Sequence, residues 1–148
     1  MADKRELILT RLLGILEEQK PDAVTVARNE QLADDEQKPV LLLLDADEEA
    51  DDNDPRGRPA YAPRRVRLFP EIYVAVQAKP EEVGQVLNQW RARLIKAIQT
   101  DTQLKDLAGP NGDIRYEGCG TALAGGRSMQ GEMKLVISIA YILRASDL

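Results

Sequence analysis

The segment from Arg64 to Ala78 alternates apolar and polar side chains more clearly than any other part of the chain. Val66, Leu68, Ile72, Val74 and Val76 fall on one side, and Arg65, Arg67, Glu71, Tyr73 and Gln77 on the other. A period of two belongs to a strand with one face buried; a helix would scatter these residues around its axis. The chain must therefore be organised around a sheet. Pro70 cannot donate a ladder hydrogen bond, so a bulge or an edge position is expected there.

The other elements follow from pattern and punctuation. Glu132 to Arg144 forms a second alternating strand, with Met133, Leu135, Ile137, Ile139, Tyr141 and Leu143 inward and Lys134, Ser138 and Arg144 outward. Val40–Leu44 follows Pro39 and is too short for a helix; it reads as a strand buried on both faces or packed on a neighbour. It is expected to pair antiparallel with Arg64–Ala78. Ala23–Asn29 and Ile114–Thr121 read as further strands, Glu30–Lys38 as a turn or loop, and Ala122–Gln130, with Gly125-Gly126, as a turn.

Asp3 can cap a helix running to Gln19, with Glu6 three residues on and Lys20-Pro21-Asp22 as its stop. Pro80 is expected as the first residue of a second helix, whose Val83, Val86, Leu87, Trp90, Leu94, Ala97 and Ile98 keep helical spacing. A shorter turn spans Asp101–Leu107 before Gly109-Pro110. Strands in runs, not alternating singly with helices, predict an α+β fold: a mostly antiparallel sheet packed against two main helices. At 148 residues a single domain is expected.

Between the first two paired strands lies an unusual stretch. Asp45–Asp54 (DADEEADDND) is densely acidic, and Pro55–Pro63 (PRGRPAYAP) brings three prolines, a glycine and two arginines. Residues 45–63 are expected to form a long, mobile, charged loop at the end of a hairpin.

Composition narrows the chemistry. The chain has no histidine and one cysteine, Cys119, so it lacks Ser-His-Asp and Cys-His systems, His-ligated metals and an internal disulfide. Net charge is -5, which disfavours nucleic acid as a specific ligand. No apolar run reaches the roughly 18 residues of a membrane span, and the start does not resemble a signal peptide. A soluble cytoplasmic product is expected.

The remaining candidates weigh toward structure. Asp45, Asp47 and Asp51 approach the spacing of a calcium loop, but the turn glycine and the closing glutamate are missing. Asp45 and Glu71 are a candidate acid–base pair across paired strands, but nothing else suggests a glycosidase site. Gly118, Gly120, Gly125, Gly126 and Gly131 precede a strand and lack a following Gly-Lys-Ser/Thr, so they suit turns and not a phosphate loop. Cys119 is expected to be buried. Arg56, Arg58, Arg64, Arg65 and Arg67 follow directly on seven acids, which favours charge complementarity over a nucleic-acid patch. No catalytic, cofactor or metal residue is assigned, and an enzyme is not expected.

The element order, the long strand ending at Lys79-Pro80, the EEVxxVLNQWRxRLIKAI helix and the closing VISIAYILR strand together resemble the tail terminator (minor tail) proteins of long-tailed bacteriophages and prophage tail-like particles. The resemblance covers nearly the whole chain as order and strand style. It implies a virion protein at the tail-neck junction, assembled in the host cytoplasm. Its copies would form a hexameric ring that ends tail-tube polymerisation and presents a head-tail joining surface to a connector protein. Rings need head-to-tail contacts, so Asp47, Glu48, Glu49, Asp51 and Asp52 of one copy are expected to face Arg56, Arg58, Arg64 or Arg65 of the next. Alternatives are another head-completion or neck protein docking on the portal, or a non-viral bacterial binding module.

Overall fold

Described in a computed structural model are residues 3–21, 24–30, 39–54, 59, 61–124 and 129–148. In chain order they form α1 (Lys4–Gln19), β1 (Thr25–Arg28), β2 (Val40–Ala50), β3 (Arg64–Ala78), α2 (Val83–Gln99), α3 (Thr102–Ala108), β4 (Asp113–Ala124), β5 (Met129–Leu143) and a closing 3-10 turn at Ala145–Asp147. The strands make one sheet of order β1-β2-β3-β5-β4. Among the described strands, only β1 with β2 runs parallel; the other three pairings are antiparallel. The fold is the expected α+β arrangement with a mostly antiparallel sheet.

The long alternating segment is the centre of that sheet. Val66, Leu68, Ile72, Val74 and Val76 are all buried against the helices. Pairing with β5 brings Val66 opposite Tyr141, Leu68 opposite Ile139 and Ile72 opposite Leu135, so both strands' apolar faces join. Pro70 produces the expected bulge, but in the partner strand. Leu44 pairs with Glu71 and Asp47 with Phe69, leaving Asp45 and Ala46 opposite the proline. The extra residue is absorbed at Ala46, whose φ is 54°.

One face of the sheet carries the helices. From α2, Val83, Leu87, Trp90, Leu94 and Ile98 are buried, and from α1 Ile8, Leu9, Leu12, Ile15 and Leu16. Each such side chain contributes roughly 1.5–3 kcal/mol by leaving water. The Asp3 carboxylate accepts from Arg5 N at 3.1 Å and Asp101 from Leu104 N at 2.9 Å, so α1 and α3 start on side-chain caps. Arg11, in the middle of α1, donates to Asp101 at 2.6 and 2.9 Å and so ties α1 to the cap of α3.

Several boundaries differ from expectation. Residues 45–50 were expected to open a loop, yet β2 continues through them to Ala50, pairing Glu48 with Leu68 and Ala50 with Val66. Ladder pairing with the long β3 overrides the poor strand preference of acidic residues. Pro80 lies in a turn, and the helix starts at Val83, whose N–H reaches the Lys79 carbonyl at 3.0 Å. Of the turn expected at 122–130, residues 122–124 belong to β4 and 129–130 to β5, while 125–128, with Gly125 and Gly126, lie outside the described residues. Ser138 is on the face away from the helices as expected, but it is buried instead of solvated.

Candidate functional site: a charged rim at the end of the sheet

Where β2 ends and β3 begins, the chain builds a tight charged corner. Asp51 N donates to Arg65 O at 2.9 Å, Asp54 N to Asp51 O at 2.9 Å, and Arg65 N to the Asp54 carboxylate at 2.9 Å. The corner is pinned by backbone bonds before any side-chain pair forms.

Asp51 is its hub. It is only 8% exposed, and its two oxygens receive Arg67 Nε at 2.8 Å and Arg65 Nε at 2.7 Å. Burial pushes its carboxyl upward, but the two guanidinium groups and the Asn53 N–H outweigh that and hold it at about 2. Arg67, 6% exposed, extends the network: Nη1 donates to Ser138 Oγ at 2.8 Å, and the guanidinium pairs with Asp113 at 2.8 and 3.1 Å. Burial works against its charge, and the Asp113 and Asp51 hydrogen bonds more than restore it. Asp113 also receives Arg65 and Arg115, at 3.3 and 2.9 Å. Ser138 in turn donates a hydrogen bond to the Glu117 carboxylate. With no solvent exposure, its hydroxyl positions Arg67.

Beside the hub is a shallow concavity of 340 Å³, lined by Glu49, Asp52, Arg67, Phe69, Arg115 and Glu117 among others. Acids and arginines of three strands or their ends meet there, which suits charge recognition.

The structure sorts the sequence-predicted interface residues into three groups. Asp51, Arg64 and Arg65 are engaged within the chain: Asp51 with Arg65 and Arg67, Arg64 with Asp54 at 3.3 Å. Asp51 and Arg65, expected to face a neighbouring copy, thus have charge partners within their own chain. Glu48 accepts a hydrogen bond from buried Tyr141. Asp47, Glu49 and Asp52 stand exposed, without an ion pair to another described residue. Arg56 and Arg58 lie outside the described residues.

Other candidates resolve as structure. Asp45 binds Arg28 at 2.9 and 3.0 Å, and Arg28 also holds Glu6. Glu71 reaches Lys134 at 3.8 Å. Cys119 is exposed on β4 and not buried as expected. Sequence reasoning missed Asp113, Glu117 and Ser138; only the fold brings them to Arg67, and an isolated Asp or Ser in a strand gives no local signal. On the helix side, Leu7, Thr10, Gln103, Asp106 and Leu107 line a wider, more apolar groove between α1 and α3. Compared with known proteins, the chain matches no protein-family model and no curated protein.

Proposed function

We propose that this protein is a structural assembly subunit that caps a phage-type tail tube as a hexameric ring, ends tube polymerisation and offers a joining surface to a head-tail connector. The reading assigns it no reaction. The observation that carries it is the division of labour at the rim. The inner charges are consumed in a rigid network, while Asp47, Glu49 and Asp52 are held exposed on strand and turn backbone. A preorganised charged ledge meets a partner at little ordering cost. Ring closure needs heterologous contacts, and these acids facing Arg56 or Arg58 of the next copy supply the charge match. The α+β fold and its element order agree with the tail-terminator resemblance.

The test is co-sedimentation with purified tail tubes and, separately, with portal rings. Tube binding supports a terminator, and portal binding alone supports a neck connector. Binding to neither returns the chain to the class of bacterial binding modules.

A further inference from the structure

We infer that the β4 edge of the sheet pairs with β4 of a second copy of this chain, antiparallel about a two-fold axis at Thr121. Sheet order leaves β4 at one end, with β5 as its sole neighbour among the described strands. The two ends of the sheet are unequal: β1 has four residues and β4 has twelve. A long edge with free backbone donors and acceptors is normally blunted by Lys, Pro, an inward charge or a bulge. The bulge of β4 falls between Tyr116 and Gly118; beyond it, from Cys119 to Leu123 (CGTAL), the strand carries none of these devices, and all five residues are exposed. Leu123 is 54% exposed although its side chain leans over Gly131 toward α2.

The segment matches itself. A two-fold perpendicular to an antiparallel pair passes through a residue pair, and centring it on Thr121 sets Thr121 opposite Thr121, Gly120 opposite Ala122 and Cys119 opposite Leu123. Threonine pairs and apolar pairs are both favourable across strands. No like charges meet, because the nearest charged residue, Glu117, lies outside this segment. Antiparallel addition also continues the pairing of β4 with β5 and β3 with β5. Leu123 would gain cover from the Cys119 side chain of the other copy. Backbone hydrogen bonding at an edge is indifferent to sequence; the self-matching side chains select a copy of the same strand. This contact goes beyond the ring proposed above. It is two-fold instead of head-to-tail and uses a different surface from the acidic rim.

The experiment measures mass by sedimentation velocity across a concentration series for the wild-type chain, Thr121→Lys and Thr121→Val. Thr121→Lys sets like charges face to face and should weaken dimerisation about tenfold or more, while Thr121→Val should retain it. In parallel, Leu123→Cys is oxidised. Opposed residues lie within disulfide reach, so a covalent dimer should form readily. The wild-type chain, with its Cys119 thiols four positions out of register, should not form one. A monomeric wild type, or a dimer indifferent to Thr121→Lys with no cross-link in Leu123→Cys, overturns the inference. A larger ring that survives Thr121→Lys would also overturn it while leaving the terminator reading in place.

Discussion

Asp51 sits between two guanidinium groups with almost no water, and that placement sets the acid limb of the protein's stability. Its carboxyl is held at about 2, against 3.8 in an unfolded chain. The unfolded state therefore takes up the proton first as pH falls. The stabilisation is full above about pH 4 and is lost between about pH 4 and 2, an effect of roughly 2 kcal/mol. Asp45, Asp101 and Asp113 are shifted in the same direction by Arg28, Arg11 and Arg67, so they add to that limb. Asp51→Asn should lower stability at pH 7 and flatten the limb, as urea unfolding at several pH values would show. Arg67→Ala leaves two carboxylates facing an emptied, buried site and should cost about 3–5 kcal/mol in the same assay. Little of this was legible beforehand. The acidic run looked solvated because its charges were local in sequence, whereas Arg67, Asp113 and Ser138 reach Asp51 only through the sheet.

At the scale of elements, periodicity carried most of the information. β3, β5, α1 and α2 were legible because each buries a full face, and burial imposes the period. β2 was half legible: Val40–Leu44 shows its apolar run, but Asp45–Ala50 has neither alternation nor strand preference and follows β3 after the bulge. The bulge was signalled only by Pro70, on the other strand. Ala46 pays for it with a left-handed backbone, so Ala46→Gly should be neutral or raise stability by about 0.5–1 kcal/mol, read as a shift in unfolding midpoint. Gly112, just before β4, is the opposite case. An added Cβ would stand 2.3 Å from the Ala108 carbonyl oxygen and 2.4 Å from that of Ala140, both backbone atoms. Gly112→Ala should therefore destabilise by about 2–3 kcal/mol or more, because neither neighbour can rotate away.

At the scale of the whole molecule, the sheet has one face closed by helices and one end fastened by charge, and the rim acids and the β4 edge are surfaces open to partners. The rim acids Asp47, Glu49 and Asp52 belong to the proposed ring contact, and the β4 edge to the two-fold one. Reversing Glu49 and Asp52 to Lys should leave stability within about 0.5 kcal/mol, as expected for exposed positions, yet abolish binding to tube ends. The exposed site was legible only as a block of charge; which members remain free depended on the pairing of strands. The most direct measurement is tube elongation followed by electron microscopy, with purified tail-tube protein growing in the presence and absence of this chain. The account predicts that added protein appears as a ring at tube ends and arrests growth. Tubes that lengthen at the same rate with bare ends, at protein concentrations well above that of the ends, would contradict it.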